Sequence, residues 1–207
     1  MLAIVDYGVG NIYSLSSAVK ALGAEHFLAK TPEELAGADS VILPGVGAFS
    51  DAADKLRDTG MWQTLIDMAR AGTPVLGICL GMQMLFERSH EYGTHEGLGL
   101  IPGEVCPLID DIAPGYKVPH IGWNRLDIVR DDPFFRYFPK GGYVYYVHSY
   151  YAKGCAKATL ATSDYTIPVT GVVRAGNVYG TQFHPEKSGA VGLSLLRAFV
   201  ETEGKGA

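Results

Sequence analysis

The chain has 207 residues, 47% hydrophobic and 19% charged, with 17 Lys and Arg against 22 Asp and Glu for a net charge of −5. That length predicts a single domain over 1–207 with a core that needs neither metal nor disulfide, and the hydrophobicity excludes intrinsic disorder. No apolar run approaches the roughly 18 residues of a membrane span, and mild acidity without a Lys/Arg cluster argues against nucleic acid as the main partner.

In chain order, residues 2–5 read as a strand, and Ile12, Leu15, Val19 and Leu22 recur near helical spacing before Gly23. Residues 26–29 read as a second strand. Thr31-Pro32-Glu33-Glu34 supplies an N-cap, a proline at the first helical position and a capping-box acid. A third strand over 40–43 runs into Pro44-Gly45-Val46-Gly47. Helical patterns follow at 50–58 and 61–71 until Gly72-Thr73-Pro74 breaks them. Residues 75–78 read as a fourth strand and 80–88 as helix. Strands alternating with helices imply a parallel sheet covered on both faces.

The second half is richer in glycine, proline and aromatic residues. Strands are expected at 103–108, 125–129, 143–151, 158–162, 169–174 and 178–183, with Gly176-Asn177 turning between the last two, and a closing helix at 189–200. The expectation is an α/β fold with a central, mostly parallel sheet flanked by helices and additional antiparallel strands in the C-terminal half.

Gly77-Ile78-Cys79-Leu80-Gly81, between a strand and a helix, has the form of a nucleophile elbow. There the turn is so tight that the flanking positions must be small, and the thiol stands at a helix N-terminus. A buried inert cysteine is the plainer reading for a lone Cys; the two glycines favour the nucleophile. Such a nucleophile needs a base and the base an orienting group. Of the histidines, His184 ends a strand and precedes Pro185-Glu186, which places a carboxylate within reach of its ring. By itself it reads equally as a solvated turn. His26 suits a buried strand, and His90 and His95 a loop. Pro44-Gly45-Val46-Gly47 fits an oxyanion donor loop, a phosphate loop or a plain turn, and no Walker-type lysine follows it. The aromatic segments Pro119-His120-Ile121-Gly122-Trp123-Asn124 and residues 142–151 read as core strand or as a partner surface. Cys79, Cys106 and Cys155 are far apart in sequence. Neither a disulfide framework nor a zinc site is expected, and a reducing cytoplasm is. The opening Met1-Leu2-Ala3-Ile4-Val5-Asp6 lacks the basic region of a signal peptide.

Gly77-Ile78-Cys79-Leu80-Gly81-Met82-Gln83 together with His184-Pro185-Glu186 resembles the class I (triad) glutamine amidotransferases. Asp6-Tyr7-Gly8-Val9-Gly10-Asn11, Pro44-Gly45-Val46-Gly47-Ala48-Phe49, the Gly122-Trp123-Asn124 segment, Tyr146-Val147-His148-Ser149-Tyr150 and His184-Pro185-Glu186-Lys187-Ser188 narrow the resemblance. They point to the glutaminase subunits of imidazole glycerol phosphate synthases of histidine biosynthesis, over essentially the whole chain. The resemblance implies a class I amidotransferase-like fold. It implies Cys79 as nucleophile, His184 as base and Glu186 as orienter, with oxyanion donors at Leu80 and in Val46–Gly47. It further implies glutamine contacts at Gly47, Gln83, Ser149 and Tyr150, an amino-group contact at Glu91, and interface or gate positions at Asn11, Trp123, Tyr145 and Lys187. No cofactor is implied. The implied partner is a (β/α)₈-barrel cyclase subunit that receives the ammonia, with L-glutamine as substrate. Ser14 departs from relatives that carry Asn near the tunnel mouth.

The rival readings are a glutaminase of another class I amidotransferase, a stand-alone γ-glutamyl hydrolase and a catalytically silent interaction subunit. Met82, where the anthranilate type usually has His, and the Gly-Trp-Asn segment separate this chain from the first. An intact Cys79, His184 and Glu186 set argues against the last.

Overall fold

The computed structural model describes residues 1–204. The first half alternates strand and helix: β1 (Leu2–Val5), α1 (Ile12–Ala21), β2 (His26–Ala29), α2 (Pro32–Ala36), β3 (Ser40–Gly45), α3 (Phe49–Asp58), α4 (Met61–Arg70), β4 (Val75–Cys79) and α5 (Leu80–Met84). The second half holds β5 (Phe86–Ser89), β6 (His95–Glu96), β7 (Ile101–Pro107), β8 (His120–Arg125), β9 (Asp127–Ile128), β10 (Tyr143–His148), β11 (Tyr150–Lys153), β12 (Thr159–Asp164), β13 (Pro168–Ala175), β14 (Val178–Thr181) and α6 (Gly189–Val200).

An eight-stranded sheet runs β2-β1-β3-β4-β14-β13-β12-β9. Its first five strands are parallel, and β13, β12 and β9 continue it antiparallel. β10 pairs with β8 in a two-stranded ribbon, and a further sheet runs β11-β7-β5-β6. The period of two along β1 divides the core: Leu2 and Ile4 pack with α1 and α6 residues on one face, Ala3 and Val5 with α3 and α4 residues on the other. Strands buried on both faces explain the continuous apolar runs of the sequence. Among the described residues, no helix is long and apolar enough to cross a membrane.

Local signals explain the helix starts. Asn11 accepts a hydrogen bond from Ser14 N at 3.3 Å and caps α1. Thr31 accepts from Glu34 N, but Glu34 reaches back to Lys30 N rather than to the cap itself. The Gly176-Asn177 turn forms as expected. Gly176 takes φ +59, and the Asn177 amide donates to Ala69 O and Thr73 O at the end of α4.

Three expectations fail. The helix expected over 80–88 stops at Met84, and Phe86–Ser89 is strand β5. Leu80, Met82, Met84, Leu85 and Phe86 are all buried, so apolar periodicity does not distinguish helix from strand there. Pairing with β7 and hydrogen bonds from Leu98, Leu100 and Ile101 back to residues 84–85 decide the outcome. The strand expected over 143–151 is two strands in two sheets. The chain leaves β8 after His148, and Ser149 O accepts from Leu108 N as the chain turns onto β7. His95 lies on strand β6, where a loop was expected, whereas residues 120–125 form the strand β8.

The tightest backbone contact joins α5 to β3. A Cβ on Gly81 would stand 1.9 Å from Leu43 O, and one on Gly77 2.6 Å from Gly81 O. Gly81→Ala is therefore expected to cost about 1–3 kcal/mol as overpacking, measured by urea denaturation. A cost near zero would show that α5 can move away from the sheet freely.

Candidate active site

Cys79 closes β4 and opens α5 with φ 55 and ψ −110. A side chain at positive φ is uncommon and marks a strained turn. The strain persists because Gly77 and Gly81 let strand, turn and helix approach more closely than any Cβ would permit. The thiol is thereby presented at the C-terminal end of the parallel strands, beside the Leu80 N–H, which has no intrahelical acceptor.

β14, next to β4 in the sheet, leads through Gln182 and Phe183 to His184, and the short turn Pro185–Lys187 returns Glu186 to it. His184 Nδ1 lies 2.9 Å from Glu186 Oε1, with both side chains about 3% exposed. The ring also faces Cys79 and interacts with it electrostatically, while the thiol itself donates to Val147 O at 3.9 Å. Burial pulls the His184 pKa down, but the interactions with Cys79 and Glu186 outweigh it and hold it at about 9 against an ordinary 6.5. A thiol, an imidazole and a carboxylate thus stand in the order that a nucleophile, base and orienter for acyl transfer would take.

Cys79 and His184 border a cavity of about 390 Å³, and Glu186 stands outside its lining. Val46, Gly47, Leu80, Gln83, Glu91, Ser149 and Tyr150, all expected from the sequence, line it together with Cys79 and His184; Lys187 stands exposed at its edge. Val46 and Gly47 are exposed, and Gly47 sits at φ +91 with open space where a Cβ would be. The loop they form is thus little restrained by packing. A larger hollow of about 820 Å³, bordered by Arg130, Asp132, Lys157 and Arg174, is lined by none of Cys79, His184 and Glu186.

The family profile described as glutamine amidotransferase class-I matches residues 3–202. The chain belongs to the class I glutamine amidotransferases. It is 50% identical over 204 residues to the imidazole glycerol phosphate synthase subunit HisH of Bacillus licheniformis, covering 96% of this chain and 95% of that one. It is 48% identical to the protein of the same name in Geobacillus sp. strain WCH70, covering 100% and 99%. Its fold resembles a crystal structure titled glutamine amidotransferase, with TM-score 0.77, 22% identity and 98% and 99% coverage. It also resembles PurLQS from Thermotoga maritima, with TM-score 0.76, 20% identity and 97% of each chain covered.

Some amidotransferase positions do more than was expected of them. One Glu91 oxygen accepts from Phe49 N at 2.6 Å, so Glu91 ties the cavity wall to the start of α3 as well as facing the cavity, and burial raises its pKa. The Gln83 amide donates to Tyr150 O at 3.0 Å and to Gln182 Oε1 at 3.1 Å. Gln182 in turn directs Nε2 toward Cys79 Sγ at 3.8 Å. His148 Nδ1 bonds the same Tyr150 carbonyl at 2.8 Å, which leaves its Nε2 to accept from His120 Nδ1 at 3.0 Å. Burial lowers both histidines, His120 to about 4 and His148 to about 3, so both are neutral at pH 7. Sequence reasoning missed Gln182, His120 and His148 as members of one network, although His120 and His148 face each other across β8 and β10. Both histidines lie inside segments singled out for their aromatic residues.

Asn11 and Glu186 meet at a hollow of about 10 Å³ beside Val46. Trp123 and Tyr145 are cross-strand partners with ring centroids 6.0 Å apart, and Trp123 is 56% exposed. Tyr145 also receives the His184 N–H on its carbonyl at 3.1 Å.

Because the His184 pKa lies above its unfolded value, the stability it adds is complete below about pH 6.5 and is lost as pH rises through about 9. The stability difference between the native chain and His184→Gln, from urea denaturation, is expected to shrink across that window. A difference independent of pH would remove the coupling to Cys79 and Glu186.

Proposed function

We propose that this chain is the glutaminase subunit of an imidazole glycerol phosphate synthase and that Cys79, His184 and Glu186 are its catalytic residues. The observation that carries the reading is a cysteine held in an elbow at φ 55 that shares the wall of a glutamine-sized cavity with His184, itself paired with Glu186. The relatives named above support the rest.

In the reaction, the Cys79 sulfur attacks the side-chain amide carbon of glutamine beside a His184 ring that already carries the proton, as its raised pKa favours at neutral pH. The carbonyl oxygen becomes an oxyanion, held by the Leu80 N–H and by an amide of the Val46–Gly47 loop. The tetrahedral intermediate collapses as the C–N bond breaks and His184 gives its proton to the leaving nitrogen, releasing ammonia and a glutamyl thioester. Water, deprotonated by His184, then cleaves the thioester to glutamate and the free thiol. Glu186 holds the imidazole in the tautomer and orientation this requires and stabilises its charged form. Gly47, Gln83, Ser149 and Tyr150 position the substrate, and Glu91 receives its amino group. The free carboxylate oxygen of Glu91 serves for this, the other being held by Phe49 N.

The ammonia passes to a (β/α)₈-barrel cyclase subunit, which forms imidazole glycerol phosphate and an aminoimidazole carboxamide ribotide. The exposed face of Ile121, Trp123 and Tyr143 with half-buried Tyr145, and with Lys187 and Asn11 nearer the site, is the docking surface. Exposed aromatic residues on a ribbon of this kind suit a protein interface. The unpacked Val46–Gly47 loop gives the free subunit a reason to be slow, since one missing oxyanion donor costs about 3–4 kcal/mol of transition-state stabilisation. The reading places the protein in the cytoplasm.

Glutamate release from glutamine, measured for the chain alone and with a ligand-loaded cyclase, is expected to rise by about two to three orders of magnitude in the complex. Full activity alone, indifferent to the cyclase, would point to an independent hydrolase. Cys79→Ala is expected to abolish turnover in the complex while leaving assembly intact, and Glu186→Gln to lower it much less; substantial turnover by Cys79→Ala sinks the assigned nucleophile. Lys187→Ala is expected to weaken binding to the cyclase, read by titration calorimetry. Unchanged affinity would take Lys187 out of the interface.

A further inference from the structure

Outside the glutamine cavity, three groups able to ligate a metal converge on one side of the β11-β7-β5-β6 sheet. Glu104 and Cys106 stand two apart on β7 and so share a face, while Val105 between them is fully buried on the other. His90 directly follows β5, and its N–H donates to Val105 O at 2.9 Å, extending the parallel ladder by one step. Its ring turns to the same side, with Nε2 2.8 Å from Glu104 Oε2. One ligand atom from each of His90, Glu104 and Cys106 lies within 4.8 Å of the other two.

The donor set is an imidazole nitrogen, a carboxylate oxygen and a sulfur. That mixture suits zinc and its first-row neighbours and does not suit calcium or magnesium, which take oxygen. Bond lengths near 2.0 Å to nitrogen and 2.3 Å to sulfur put tetrahedral ligands about 3.5 Å apart. The His90–Glu104 pair, at 2.8 Å, must therefore open slightly, and Cys106, within 4.8 Å of both, close to about 3.5 Å. The side chains are free enough to do so, His90 being 35% and Glu104 43% exposed.

The surrounding charge is mixed. Asp110 and Asp111 act on Cys106 together with Glu104, and Arg88 and Lys153 act on Glu104. Lys153 is already engaged by both Asp111 oxygens at 2.8 and 3.0 Å, so one of the two cations carries its own counter-charge.

We propose that His90, Glu104 and Cys106 form a binding site for a zinc-type divalent cation, with water as fourth ligand, and that its occupation fixes the strand end that carries Glu91. Binding replaces the His90–Glu104 hydrogen bond by two metal bonds and releases the Cys106 proton. The site borders the glutamine cavity through one peptide. His90 is followed by Glu91, whose carboxylate holds Phe49 N at the start of α3, just past the Val46–Gly47 loop. The ligand assignment is independent of the glutaminase reading; only the importance of Glu91 rests on it.

The test is a cobalt titration of the tag-free full chain carrying Cys79→Ser, which removes the thiol of the glutamine cavity. One equivalent is expected to give a thiolate-to-cobalt charge-transfer band in the near ultraviolet, displaced by zinc. The further change Cys106→Ser is expected to abolish the band, and His90→Asn to weaken binding at least about tenfold by loss of a ligand. Zinc is also expected to slow amide hydrogen exchange over residues 89–92 in the native chain and not in Cys106→Ser. No band, or a band that survives Cys106→Ser, overturns the site. Unchanged exchange over 89–92 overturns the link to Glu91. Both cluster variants are at half-exposed positions, and a native circular dichroism spectrum separates loss of ligand from loss of fold.

Discussion

The close approach of α5 to β3 is the constraint on which the site depends. Gly81 lies where any side chain would enter Leu43 O, and Gly77 lies under Gly81 itself. Because the backbone segments nearly touch, the chain can turn from strand to helix within one residue, and that residue, Cys79, is held at φ 55. The same contact fixes what stands beside the thiol. β3 continues from Leu43 through Pro44 and Gly45 into the Val46–Gly47 loop, so the strand that crowds Gly81 also carries the loop that lines the cavity. Tyr7 anchors this strand end from the other side by donating to Pro44 O at 2.8 Å. The loop starts from a fixed point and is loose only beyond it.

A second layer is polar and almost wholly buried. The carbonyl of Tyr150 is a shared acceptor for Gln83 and His148, and it sets the sense of everything attached to it. Since Gln83 must present its NH₂ group to that carbonyl, the same group meets Gln182 Oε1, and the Gln182 NH₂ is left to face Cys79. Since His148 must give its Nδ1–H to the carbonyl, its other nitrogen must accept from His120. Buried donors and acceptors left unpaired cost roughly 1–3 kcal/mol each, so each member has one orientation available. A single backbone oxygen thus determines that a donor, and not an acceptor, points at the Cys79 sulfur.

The parts of this arrangement legible in the sequence are those with a local signal. The elbow shows as two glycines around a cysteine between an apolar run and a helix, and the His-Pro-Glu turn as a base and a carboxylate separated by a stiff residue. The parallel half of the fold is legible because its strands and helices alternate with clear caps and breakers. The stretch from Phe86 to Tyr151 is less so. There short apolar segments, buried on every side, fit either period, and pairing between distant strands decides. The same holds for side chains. Gln182 has no motif of its own, and its role exists only once β14 lies beside β4. His90 and Cys106 are far apart in the chain and become neighbours only through the parallel pairing of β5 with β7, which no metal-ligand spacing encodes.

The β8–β10 ribbon joins the outer surface to the chemistry through the alternation of a strand. Along β10, Val144, Tyr146 and His148 are buried, and Tyr143, Tyr145 and Val147 lie on the more exposed side. The cross-strand pair Trp123–Tyr145 faces outward, while His120 and His148, from the same two strands, face inward. Side chain and main chain of Tyr145 then serve different neighbours. The ring packs against Trp123, and the peptide receives the His184 N–H on its oxygen and gives its own N–H to Ser188 Oγ. Ser188 Oγ also donates to His184 O, so both peptide groups of His184 are referred to this one segment. A partner seated on the aromatic face therefore bears on the strand that positions the imidazole. The link runs through one backbone hydrogen bond and one two-bond bridge across the short Ser188 hydroxyl, which leaves little slack to absorb a displacement.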